Sequence, residues 1–262
     1  MSIIDIIIPA RYGSKRLEGK PLIKVAGIAL VERMYRLATK VSGVRNVLIA
    51  TDDERISSFC HEQKIPSVIT NVDCRTGTDR CLEVTNRLSQ SQRPDYIINL
   101  QGDAVLTPPW IIQSMVDEIN NTQPQVITPA LSLDEDAYRS LVLAKQQTPT
   151  SGTFVVFSQS NRALYFSKNP IPYIRNNWLN TLPVARHIGL YGYKLTVLEE
   201  IVAMASTPLE DIEGLEQLRL LENDITIKVV LVDYRGRSHG SIDCQQDISR
   251  VETIIHQEGE LF

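Results

Sequence analysis

The sequence predicts an α/β fold built on a parallel sheet wound on both faces. Three observations carry this expectation. Short β-branched runs recur at Ile3 to Ile8, Val44 to Ala50 and Tyr96 to Leu100, each of a length and apolarity suited to a buried strand. Segments with helical spacing fall between them, the alternation that gives βαβ units. Each strand also runs into a polar or glycine-containing turn: Pro9-Ala10-Arg11, Thr51-Asp52-Asp53 and Gln101-Gly102-Asp103. In such sheets ligands bind beyond the carboxyl ends of the strands, so these turns mark the expected site.

Taken in order, Ile3 to Ile8 is interrupted only by Asp5 and ends at Pro9. A polar loop with Gly13 and Gly19 follows. Leu30, Met34, Leu37, Ala38 and Val41 then keep a helical period, with Gly43 as a stop. After the second strand, Ile56 and Phe59 suggest a short helix, Ser67 to Thr70 a short strand and Cys81 to Leu88 another helix. The second half is less regular. Thr153 to Phe157 and His187 to Tyr193 read as strands, with Pro170, Pro172 and Pro183 between them. Pro208 to Leu221 has helical spacing, Ile225 to Val232 is a late strand and Asp247 to His256 a terminal helix. No repeat or Ser/Gly-rich linker divides the chain. The expectation is a single domain over residues 1–262, with a smaller subdomain around 150–205.

Composition narrows the function classes. The 262 residues include 31 acids and 27 bases, a net charge of −4, with 43% hydrophobic and 22% charged residues. These are ordinary values for a globular protein, and the acidic pI of about 5.7 speaks against non-specific nucleic-acid binding. It leaves room for one anionic small molecule, because a site is local and net charge is global. Cys60, Cys74, Cys81 and Cys244 show no CxxC spacing and read as reduced thiols. Met1 to Asp5 lacks the basic region of a signal peptide, and no apolar run approaches a membrane span. The expected location is cytoplasmic, with no membrane insertion.

The strongest local signal is Pro9-Ala10-Arg11-Tyr12-Gly13-Ser14-Lys15-Arg16-Leu17-Glu18-Gly19-Lys20-Pro21. Directly after a strand, it concentrates Arg11, Lys15, Arg16 and Lys20 around two glycines. Phosphate oxygens need such cations and backbone N–H donors. The spacing is neither GxxxxGK[ST] nor GxGxxG. A solvated basic loop is the bland reading of a segment like this, and its place after the first strand favours phosphate binding.

The segment resembles the signature loop of sugar nucleotidyltransferases, most closely the cytidylyltransferases that activate 3-deoxy-D-manno-octulosonate (Kdo). Six further segments resemble that family in its order: Ala50 to Arg55, Gly77 to Arg80, Asn99 to Asp103, Ala163 to Ser167, Arg186 to Tyr191, and Pro208 through Arg219. The resemblance implies a three-layer nucleotide-diphospho-sugar transferase-like (Rossmann-like) fold, with a mixed, mostly parallel sheet and a small dimerisation subdomain. It implies a homodimer that joins CTP to a 3-deoxy-2-ulosonic acid for lipopolysaccharide synthesis and releases pyrophosphate. Mg²⁺ is the implied cofactor, held by Asp103 and Asp243. On spacing alone, a loop aspartate is more often a turn or cap residue.

By the same resemblance, Ala10, Arg11, Gly13, Ser14, Arg16, Lys20, Gly77, Thr78, Asp79 and Arg80 bind the nucleotide. Arg11, Lys20, Asp103 and Asp243 serve the transfer itself. Gln101, Arg186, His187, Tyr191, Glu216 and Gln217 bind the sugar. Without that context His187 reads as an interior histidine, and Glu216 and Gln217 as a helix surface. The chain departs from the family at Ala104, usually Glu, and at Ser241 to Gln246. It departs again at Phe154, usually Lys, and at Lys168, usually Arg. The last two suggest a modified sugar such as 8-amino-3,8-dideoxy-Kdo. A sialic-acid-like nonulosonate, another acidic sugar or a polyol phosphate would suit the same loop. A nucleotide-binding regulatory protein would keep the loop and lose the metal residues, and Asp103 and Asp243 speak against it.

Overall fold

The first strand, β1 (Ile4–Ala10), shows why a nearly continuous apolar run was needed. Ile4, Ile6 and Ile8 enter one core and Ile7 the other, all without solvent exposure. A strand covered on both faces cannot alternate polar with apolar residues. The interrupting Asp5 is buried as well, and it is held by Arg45 Nε (3.0 Å) and Nη2 (2.5 Å) and by Asn46 Nδ2. The structure is a computed structural model that describes residues 1–14, 16–147, 152–175 and 184–262. Lys15 and Pro183, named above, lie outside the described residues.

After β1 the basic loop leads to a small hairpin, β2 (Lys24–Val25) and β3 (Ile28–Ala29), and to α1 (Leu30–Ala38). Then come β4 (Asn46–Thr51), α2 (Glu54–Glu62), β5 (Ser67–Ile69), α3 (Gly77–Asn86) and β6 (Tyr96–Asn99). The order β5-β4-β1-β6 is parallel throughout. The helix expected from Cys81 starts earlier, at Gly77. A capping box sets that start: Thr76 Oγ1 accepts from Asp79 N while Asp79 Oδ2 accepts from Thr76 N.

The next elements are α4 (Pro109–Thr122), β7 (Val126–Ser132), α5 (Glu135–Gln147), and the β8 (Thr153–Phe157) and β9 (Ala163–Ser167) hairpin. The sequence reading had no elements over α4, β7 and α5, although Ile112, Met115, Val116 and Ile119 keep a helical period and Val126 to Leu131 is a mostly apolar run. They are followed by β10 (Val184–His187), β11 (Tyr191–Lys194) and α6 (Leu195–Ala203). The strand expected over His187 to Tyr193 is in fact two. β12 (Ile227–Val232) occupies one edge of β7 in parallel, while β10 and β11 share the other edge, antiparallel. The break falls at Ile188 to Leu190, where Thr128 Oγ1 donates to Leu190 O at 2.8 Å. From there β10 carries the sheet out to β8 and β9.

The helix expected over Pro208 to Leu221 also divides, into α7 (Pro208–Glu213) and α8 (Gln217–Glu222). Gly214 separates them with a left-handed φ of 63°. The chain ends in α9 (Gln245–Glu258). The sheet is thus mixed, parallel in the first half and largely antiparallel in the second. One core joins it to α1, α4 and α9, and another to α3, α6 and α8, giving three layers.

Candidate active site

At the carboxyl ends of β1 and β6 lies a cavity of about 350 Å³. The basic loop borders it through Arg11, Ser14, Arg16 and Lys20. The start of α3 borders it through Gly77 and Arg80, and the turn after β6 through Gln101 and Asp103. Asp243 closes it from the loop before α9. Residues far apart in sequence meet here because parallel strands end side by side. The turn after β6 approaches the end of β1 so closely that a Cβ on Gly102 would stand 2.8 Å from Pro9 O. Only glycine fits without moving backbone.

Lys20 Nζ is the hub of the charged groups. It donates to Asp103 Oδ2 at 2.6 Å and to Ile242 O at 2.9 Å, and lies 3.7 Å from Asp243 Oδ1. Arg16 Nη2 reaches the same Asp243 oxygen at 2.7 Å. The Asp243 loop is itself fastened. Asp247 Oδ2 accepts from the backbone N–H of Asp243 and Cys244, both at 2.9 Å, and Asp103 O accepts from Ile242 N. Burial resists the charge on Asp247, but these amides and Arg250 outweigh it and hold the carboxyl down at about 2. Cys244 caps α9.

Not every residue expected at the nucleotide lines this cavity. Ala10 is buried at the end of β1 and Gly13 is exposed on the loop. Thr78 is buried and faces Glu216 and Tyr193. Asp79 spends its carboxylate on the α3 cap. Arg80 does line the cavity, and its guanidinium is tied to Asp52 at 2.8 Å and to Thr70 Oγ1. Cys74 to Thr76 also border the space, which the sequence reading missed although the Thr76-x-x-Asp79 capping pattern was legible there. The Cys74 thiol donates to Glu83 Oε2, and burial together with that carboxylate pushes it up to about 12.

A second cavity of about 240 Å³ adjoins the first, and Gln101 and Asp103 line both. Its other walls include Ala104, Thr107, Arg186, His187, Tyr234 and His239. Arg186 and His187 are neighbours on β10 and part company there. Arg186 Nη1 donates to His239 Nε2. His187 packs edge-on to Phe166 and against Tyr191, with centroids at 5.1 and 5.4 Å. Its Nε2 meets Thr128 Oγ1 at 3.0 Å. That hydroxyl already donates to Leu190 O, so His187 Nε2 carries the hydrogen and Nδ1 remains an acceptor. Burial, reinforced by Lys168, pushes His187 down to about 3, and the ring is neutral.

Behind His187 stands a buried polar cluster. Gln217 Nε2 and Asn99 Oδ1 have no hydrogen-bond partner among the described residues, and Tyr191, Glu216 and Gln217 line neither cavity. Such atoms are costly to bury and suit the polar groups of a ligand. Glu216 lies beside them, its carboxyl raised chiefly by burial. Phe154, by contrast, lines neither cavity. It is fully buried between sheet and α5, with Tyr138 at 5.5 Å, so its departure from the family pattern is a matter of packing. Lys168 turns inward, Nζ to Thr153 Oγ1 and N to Glu213 Oε2.

A basic loop after the first strand, facing two aspartates across a cleft at the strand ends, defines a nucleotide-binding α/β protein. The comparisons narrow the class. The cytidylyltransferase family profile matches residues 6–227, and the chain belongs to that family. The 3-deoxy-manno-octulosonate cytidylyltransferase of Maricaulis maris is 46% identical over the full length of both chains. The enzyme of that name from Acinetobacter baumannii is 36% identical, covering 95% of this chain and 96% of its own. Among solved structures, CMP:2-keto-3-deoxy-manno-octonic acid synthetase complexed with CTP superposes with a TM-score of 0.86 at 31% identity, covering 98% and 100% of the two chains.

Proposed function

We propose that this chain transfers the cytidylyl group of CTP to the anomeric 2-hydroxyl of Kdo, giving CMP-Kdo and pyrophosphate. The observation that carries this reading is the junction of the two cavities at Gln101 and Asp103. A donor in the first and an acceptor in the second meet beside Asp103. The close relatives named for this activity, and the CTP complex of the structural neighbour, support it.

In the reaction, Arg11, Arg16 and Lys20 hold the triphosphate, and Ser14 and the α3 start border the nucleotide. Cations aimed at the phosphates stabilise charge as it develops on the leaving group. The sugar oxygen forms a bond to the α-phosphorus as the bond to the bridging oxygen of pyrophosphate breaks, and the hydroxyl proton passes to water. Gln101 stands between donor and acceptor. Arg186 and His187 face the sugar, and Tyr191, Glu216 and Gln217 offer partners to its hydroxyls.

Asp103 and Asp243 fit a divalent cation, since both already face one positive charge, the Lys20 ammonium. Mg²⁺ commonly takes one or two protein carboxylates and completes its shell with phosphate and water oxygens. When bound, the ion would neutralise phosphate charge and acidify a coordinated hydroxyl. We also expect a homodimer through the 150–205 segment, where Leu164 and Tyr173 are exposed. Light scattering on the eluting protein checks the dimer.

A pyrophosphate-release assay tests the reaction, with CTP, UTP and ATP each offered Kdo, 8-amino-3,8-dideoxy-Kdo and a sialic acid. The expected result is fastest turnover with CTP and Kdo. Preference for another nucleotide or for the nonulosonate would overturn the reading.

A further inference from the structure

Arg186 lines the second cavity and is largely buried, yet it forms no ion pair with a carboxylate among the described residues. A buried guanidinium ordinarily has an acid beside it, because an unpaired charge is costly to desolvate. Here its hydrogen-bond partner is His239 Nε2, with Tyr234 edge-on to that imidazole at 5.9 Å. Burial and the guanidinium hold His239 down at about 4, so the ring is a neutral acceptor and carries its proton on Nδ1. The surrounding charges add no compensation. Lys145 on α5 and Arg250 on α9 are cations close enough to be felt, and Asp103, across the cavity, is held by Lys20.

We infer that His239 sets the charge of this pocket: it orients Arg186 through a neutral imidazole and leaves the guanidinium positive, ready for the carboxylate of the acceptor sugar. An acid at position 239 would orient Arg186 equally well and cancel the charge. The imidazole keeps the hydrogen bond and spares the charge, so a substrate with a carboxylate is selected over a neutral ketose. His187, the other imidazole on this cavity, gives its Nε2 to Thr128 Oγ1 and not to Arg186. The inference rests on the reading of the acceptor as a sugar acid and identifies the residue that enforces it. His239 acts through Arg186 and is a positioning residue.

The test compares His239→Asp with His239→Gln in the full-length protein. Kdo binding is read by calorimetry, and KM and kcat by pyrophosphate release. His239→Asp should weaken Kdo binding and raise KM for Kdo about tenfold or more, the effect of pairing one charge at close range. KM for CTP should stay unchanged. His239→Gln, which keeps an acceptor without a charge, should bind Kdo within about threefold of the parent. Circular dichroism checks folding, and His239→Glu repeats the experiment if the Asp variant does not fold. Undiminished Kdo binding in the acidic variant overturns the inference, as does equal loss in the Gln variant. A parent protein that binds Kdo without turning it over would overturn only the reaction proposed above.

Discussion

Lys20 Nζ lies 2.6 Å from Asp103 Oδ2 and 3.7 Å from Asp243 Oδ1, so one ammonium bridges two carboxylates that come from opposite ends of the chain. With Arg16 Nη2 at 2.7 Å from Asp243 Oδ1, the arrangement sets two cations against the two acids. It also places Lys20 where the phosphates of a nucleotide would meet it. Removing either side should therefore act on transfer more than on folding. Asp103→Asn is expected to lower kcat by about a thousandfold, the scale of losing one strong stabiliser of transition-state charge. The melting temperature should change little. Near-normal turnover would show that Asp103 has no part in the reaction.

Gly102 tests the closeness of the two strand ends. A Cβ there would press on Pro9 O at 2.8 Å, and a backbone carbonyl cannot rotate away. Gly102→Ala should cost about 1–3 kcal/mol, the usual range for overpacking. It should also raise KM for CTP, because the turn carrying Gln101 and Asp103 must shift. A denaturant titration beside the kinetics checks both.

Asp247 links stability to pH. Its folded-state carboxyl sits near 2, below the ordinary 3.8. A group depressed in this way contributes its stability above the unfolded value and loses it as pH falls through the folded one. Asp247→Asn should thus be less stable than the parent at pH 7, by about 1 kcal/mol, as for a lost helix cap. The difference should shrink between pH 4 and pH 2 (the range bounded by the two states). Melting curves across that range decide it. A constant gap would mean that the amides of Asp243 and Cys244 gain nothing from the charge.

Gln217 separates function from stability. Its Nε2 is buried without a partner among the described residues. Gln217→Met removes that unsatisfied donor at similar volume and should leave stability equal or higher by about 1 kcal/mol. KM for the sugar should rise, since a hydrogen bond to a hydroxyl is lost. A variant that is both less stable and kinetically normal would contradict this.

The sequence by itself determined the parallel half of the fold and the place of the site. Buried parallel strands need apolar runs, and Ile3 to Ile8, Val44 to Ala50 and Tyr96 to Leu100 announce them without any partner in view. The basic loop and the turns after the strands were visible for the same local reason. The family resemblance named Asp243, which no spacing would have singled out. What the tertiary structure decided is whatever depends on pairing. α4 does not belong there: Ile112, Met115, Val116 and Ile119 mark it locally, and the sequence reading passed over them. The break between β10 and β11 follows from two strands sharing one edge of β7, and Gly189 at its centre is the one local mark of it. Phe154 looked like a sugar-pocket residue and is core. His239, which the sequence reading did not single out, touches Arg186. A side chain's neighbours across a sheet or from a distant loop are set by register and chain path, and local spacing carries no record of either.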